Sequence, residues 1–169
     1  RPGDRTLVLL TSGNLAISQA VASLLRAAFR SDATGATLWN VRTLFDAATV
    51  VGEAVRAVHG HDADAMGKFS LDFNVNLIIG GQIRGELPRL FHVYAAGNFI
   101  EATGETPFFQ LGESKYGKPI LDRVVGGGMT LDRAAAEASI RRDVVEPLGM
   151  DMLDAASAVI KVANANMAD

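Results

Sequence analysis

The chain has no cysteine in 169 residues, few aromatics (7%), one Trp and five Pro. Without cysteine there is no disulfide, no thiolate zinc site and no thiol nucleophile, which suits a reducing cytoplasm. Positive charge is also short: 16 Lys and Arg against 19 Asp and Glu give a net charge of −3. That balance gives no basic footprint for nucleic acid or an anionic membrane, so neither is expected as a partner. The longest apolar runs, such as the one around residues 77–79, fall far short of the ~20 residues a membrane-spanning helix needs. Nothing at the start resembles a signal peptide. The chain opens without Met on RPGDRT, a turn leading into a strand, and reads as the interior of something longer. Apolar residues make up 49%, enough over a single-domain length to bury a core.

RTLVLLT (residues 5–11) is a continuous apolar run of strand length and predicts a buried strand. Ser12, Gly13 and Asn14 then turn into LAISQAVASLLRAAFR, whose Leu15, Val21, Leu24, Leu25 and Phe29 recur at helical spacing. Residues 31–36 read as loop. A second helix is predicted over residues 42–59, with Leu44, Ala48, Val51, Val55 and Val58 on one face. NVNLIIG (74–80) and RLFHVYA (89–95) are strands, and GQIRGELP between them has the Gly and Pro of a hairpin. Residues 108–111 form a short strand and residues 117–125 begin a helix. The order points to an α+β domain with helices gathered on sheet faces. Past Gly126-Gly-Gly128 the character changes. Thr130 caps an alanine-rich helix ended by Pro147 and Gly149, and a second helix is predicted over residues 152–163.

Chemistry-bearing clusters are few. His59, His61, Asp62 and Asp64 lie within six residues and could bind a divalent cation. They read better as a solvated helix end, with His59 near the C-terminus of its helix. His92 stands alone in a strand, so no metal site is expected. The triple glycine lacks the spacing of either nucleotide-binding loop and no Lys follows it, so it reads as a connector and no cofactor is expected. Gly80-Gly81 reads as hairpin entry, and Lys115, Lys118, Tyr116 and Glu113 as surface. Ser12-Gly13-Asn14, at a strand-to-helix turn, could direct N–H groups at an oxyanion; the same residues suit a helix N-cap by Ser12 or Asn14.

The stretches RTLVLLTSGNLAISQAV, LIIGGQIRGELPRLFHVYAAGNFIEAT and TPFFQLGESKYGKPILDRV closely resemble the Anbu family of bacterial proteasome-type proteins, which are N-terminal nucleophile hydrolases. The resemblance covers residues 1–125. It implies an incomplete proteasome-like αββα sandwich of antiparallel sheets and helices with an appended helical hairpin, peptide substrates, a cytoplasmic location, and assembly with itself or with full-length Anbu-like subunits. It assigns one matched position a catalytic role: Gly13, as the backbone N–H donor of the oxyanion hole. The family's nucleophile, the processed N-terminal residue of a first strand, matches no position here, and Arg1 cannot replace it. The resemblance thus implies a threonine-peptidase subunit fragment that is inactive as written.

Residues 126–169 resemble part of the A-type subunit of the hydantoinase and oxoprolinase family. Two units are therefore expected, 1–125 and 126–169, joined as a chimera truncated at both ends, with exposed sheet edges and a tendency to aggregate. The alternative functions are a non-catalytic assembly subunit of Anbu-type rings and a hydantoinase-type component.

Overall fold

The first predicted strand becomes β1, Arg5–Gly13, antiparallel to β2, Val75–Ile83, with Arg5 opposite Ile83 and Gly13 opposite Val75. The computed structural model describes residues 4–30, 35–112, 119, 122, 123 and 125, and the backbone of 159–161. Its main sheet has the order β1-β2-β3-β4, where β3 is Arg89–Val93 and β4 is Phe99–Glu101. Residues 80 and 81 lie inside β2 and pair with both neighbours, so they are strand residues rather than hairpin entry. The turn follows Ile83.

β1 is an edge strand among the described ones, and this corrects the expectation of a buried strand. Its residues alternate between half-buried and exposed along most of their length. Leu7 and Leu9 pack on the helix side of the sheet, Leu10 packs on the other side, and Val8 is 45% exposed. β2 sits between two partners and carries the buried apolar run instead, because a strand covered on both faces has no polar side to show.

Two helices cover one face. α1, Leu15–Arg30, has the predicted bounds, but Ile17, Val21 and Leu25 form its buried stripe, while Leu15 and Leu24 are exposed. α2, Leu44–Lys68, buries all five predicted face residues and runs nine residues further than expected. Asp62, Ala63, Asp64, Ala65 and Met66 continue the helix, and Met66 reaches back to the core. Thr43 caps its start, with Oγ1 accepting from Asp46 N at 3.1 Å. The main core lies between this helix layer and Val75, Leu77, Ile79, Phe91 and Val93 of the sheet.

On the opposite face Ile78 and Leu90 meet Phe109 and Leu111. Phe109 belongs to β5, Phe108–Gln110, which pairs antiparallel with β6, Val159–Lys161. This gives a second sheet on the far side of the first and an α+β fold of layered antiparallel sheets and helices. β6 corrects the helix expected over residues 152–163: Val159 and Ile160 are β-branched and favour a strand where a partner is offered. The rest of that helix, the helix after Thr130 and the triple glycine lie outside the described residues, as do Glu113, Lys115, Tyr116 and Lys118. Of the helix expected at 117–125, Pro119, Asp122 and Arg123 are helical. No described helix is long and apolar enough to cross a membrane.

α2 meets the β3–β4 turn backbone to backbone. A Cβ added at Gly52 would overlap Gly97 O, and one at Gly97 would lie 2.5 Å from Gly52 O. Arg56 Nη1 closes the contact on Gly97 O at 2.8 Å. Gly60, on the exposed side of the same helix, would place an added Cβ in open space, with no neighbouring atom within 4 Å. The two substitutions should therefore have opposite signs in urea unfolding. Gly60→Ala should gain about 0.5–1 kcal/mol from helix propensity. Gly52→Ala should lose about 2 kcal/mol or more, because neither backbone can move away cheaply.

Candidate functional site

The turn from β1 into α1 is built on Gly13. Its φ is +99°, and a β-carbon there would sit 2.5 Å from Asn74 O and 3.0 Å from Asn74 C. Conformation and space both require glycine. Asn14 N donates to Asn74 O at 2.8 Å. In an antiparallel ladder, a bond between the residue after one partner and the residue before the other marks the enclosed pair as non-hydrogen-bonded. Gly13 and Val75 are that pair, so the Gly13 N–H faces away from β2, towards the side of β1 where no described strand pairs. Gly13 is exposed.

Asn14 is the N-cap. Its Oδ1 accepts from Ala16 N at 2.9 Å and Ile17 N at 3.5 Å, so the choice left open between Ser12 and Asn14 falls on Asn14, and Ser12 stays in β1 opposite Asn76. The first turn of α1 contains no acidic residue, leaving the positive end of the helix dipole unneutralised beside Gly13. The arrangement can donate backbone N–H groups to developing negative charge; it supplies no proton-transfer group. The contribution of Asn74 is not legible in the sequence, since only the strand register places its carbonyl here.

The other candidates do not converge on this turn. His59 is internal to α2 rather than at its end, and its ring lies edge-on to Phe73 with centroids 4.8 Å apart. His61 Nδ1 meets the neighbouring Asp62 Oδ1 at 2.5 Å in an exposed pair. Among the described residues no group of three or more His, Asp or Glu is placed to hold a metal. His92 is half-buried on the sheet face away from the helices, in register with Ile78 and Leu10. Its ring lies 4.4 Å from Tyr94 and 5.4 Å from Phe109, centroid to centroid. Its Nε2 is buried with no hydrogen-bond partner among the described residues. Burial lowers its pKa below the ordinary histidine value of 6.5.

A four-stranded antiparallel sheet with two helices on one face, a second sheet on the other, and a glycine turn from strand to helix defines the proteasome-like α+β class. The chain belongs to the Anbu family. It is 44% identical to the Anbu (ancestral beta-subunit) structure from Yersinia bercovieri, with a TM-score of 0.78 over 95% of this chain and 66% of that one. It is 38% identical to an Anbu (Gly-1) mutant from Hyphomicrobium sp. strain MC1, with a TM-score of 0.77 over 99% of this chain and 73% of that one. The Anbu complex from Pseudomonas aeruginosa, solved as a helical assembly, is 40% identical, with a TM-score of 0.77 over 98% of this chain and 72% of that one. The chain thus spans about two thirds to three quarters of the length of these relatives, and the matches run past residue 125. No protein-family model and no curated protein matches it.

Two measurements check the local assignments. Asn14→Ala should cost about 1 kcal/mol of stability in urea, the usual loss for an N-cap. For His92 the folded pKa lies below the unfolded one, so its contribution is fully present above about pH 6.5 and is lost as pH falls towards the lowered folded value. Urea midpoints measured from neutral to mildly acidic pH should fall in the wild type, and His92→Leu should flatten that slope.

Proposed function

We propose that this chain is the oxyanion-binding part of a proteasome-type peptidase subunit that acts in the cytoplasm and assembles with itself or with full-length Anbu-type subunits. The observation that carries the reading is the direction of the Gly13 N–H, turned outwards from the sheet at the unneutralised end of α1. A tetrahedral intermediate of peptide hydrolysis carries its negative charge on one oxygen, and a fixed N–H donor there lowers the barrier without reorganisation. Gly13 is a donor and not a nucleophile, so the chain's share of the chemistry is transition-state stabilisation.

The test is turnover of fluorogenic peptides by the protein expressed from its locus, with whatever sequence flanks residues 1–169. Gly13→Ala should lower kcat by about 10²-fold or more, the usual loss when one oxyanion donor is displaced. Asn14→Ala weakens the same turn but keeps the Gly13 N–H, and should leave kcat within a few-fold. Equal kcat in Gly13→Ala and wild type would remove Gly13 from the site. A protein that assembles yet hydrolyses no peptide would fit the second reading, a non-catalytic assembly subunit, which is favoured by the exposed apolar side chains of Phe69 and Leu71 just past the end of α2.

A further inference from the structure

The segment that leaves α2 carries apolar surface that is not packed into either core cluster of the described residues. Phe69 is 78% exposed and Leu71 55%. Between them Ser70 has φ +54°, the one positive φ outside glycine among the described residues. This is not a fraying end. Phe69 N and Leu71 N both donate to Met66 O at 3.0 Å, and Ser70 N donates to Gly67 O at 3.1 Å, while the Met66 side chain packs on the core. The turn is anchored, and it holds two large apolar side chains outwards at the cost of a left-handed serine.

Charges of opposite sign flank the pair. Lys68 precedes Phe69 and Asp72 follows Leu71; both are exposed, and neither belongs to an ion pair among the described residues. The run K-F-S-L-D is self-complementary on inversion about Ser70: Lys68 falls against Asp72, Phe69 against Leu71, and Ser70 on itself. A two-fold contact requires this kind of patch, in which residue i meets residue j and j meets i.

We infer that residues 68–72 form a two-fold contact between two copies of this chain, with Phe69 and Leu71 packed across the axis and Lys68 paired with Asp72 of the other copy on both sides. The inference rests on the assembly half of the proposed function and adds where one of its contacts lies. Four apolar side chains and two rim ion pairs make a small, weak interface, suited to a repeating assembly in which other contacts add to it.

Charge reversal tests the two-fold geometry directly, by sedimentation velocity at up to ~100 µM, where weak contacts are populated. All variants are at exposed positions and should keep the wild-type circular dichroism spectrum. The wild type should self-associate. Lys68→Asp places Asp against Asp twice, and Asp72→Lys places Lys against Lys twice, so each alone should weaken association about tenfold or more. An equimolar mixture of the two variants restores both pairs and should associate again, as should the double variant K68D/D72K. Single variants that associate like the wild type would overturn this contact while leaving the assembly reading standing. Loss in the single variants without recovery in the mixture would show that the segment docks on a different surface, and would overturn the two-fold contact. A wild-type chain that stays monomeric throughout, alone and with full-length Anbu-type subunits, would overturn the assembly reading together with it.

Discussion

The ladder between β1 and β2 is the constraint on which the rest of the structure depends. It runs for nine residues without a bulge and ends in the bond from Asn14 N to Asn74 O. Because facing alternates along a strand, a slip of one residue would turn Leu7 and Leu9 out of the helix-side core. The same slip would change Gly13 from a non-hydrogen-bonded to a hydrogen-bonded position, and its N–H would then be spent on β2. The packing and the donor role proposed for Gly13 therefore depend on one register, and the apolar pattern that secures the core also sets the direction of the Gly13 N–H.

That register is held from outside the two strands as well. Arg5 Nη1, at the opposite end of β1, donates to Leu38 O and Val41 O at 3.1 and 2.9 Å, tying the strand to the segment that enters α2. The N-terminus of α2 is tied to the β2–β3 hairpin by Glu86 Oε2, which accepts from Leu44 N at 2.7 Å. Arg89 donates from Nη1 to Glu86 Oε1 at 2.9 Å and from Nε and Nη2 to Glu101 Oε1 and Oε2 of β4 at 2.6 and 2.7 Å, with its guanidinium 4.9 Å from the Phe91 ring centroid. These carboxylates, Glu101 first, raise the already high pKa of Arg89. The pairs are partly exposed, and each contributes on the order of 1 kcal/mol or less. Their effect is on geometry: helix start, hairpin and edge strand share one charged centre, while the Gly52–Gly97 contact fixes the middle of the same helix.

Periodicity in the sequence makes some of this legible, and its failures have identifiable causes. The five face residues of α2 are readable because a helix against a sheet must be apolar at every third or fourth position. Its end is not, because His59-Gly60-His61-Asp62 mimics a terminator, although solvent, not termination, is what those polar residues face. The apolar run of β1 overstates its burial because strand position in a sheet is a tertiary property. β4 escapes notice because three residues are too few to show a period. β6 reads as helix because an alanine-rich context outweighs Val159 and Ile160 until a partner strand, distant in sequence, decides the matter. The strand-to-helix pattern marks the Ser12-Gly13-Asn14 turn as able to aim N–H groups at an oxyanion or to cap α1, and the family resemblance is what assigns the oxyanion role to Gly13.

The resemblance names Gly13, and the geometry explains why this position must be glycine and why the residue after it is Asn. A side chain at 13 would collide with the carbonyl that accepts from Asn14, so any substitution large enough to matter would break the bond that fixes the direction of the N–H. Asn14 then does two things at once. Its backbone closes the ladder and its side chain opens α1, so the strand ends and the helix begins within a single residue. A longer connection would leave the Gly13 N–H free to rotate and would move the helix dipole away from it. The oxyanion-binding role proposed for Gly13 therefore depends on the brevity of the turn, because the direction of its N–H is set by the backbone alone, with no side chain to aim it.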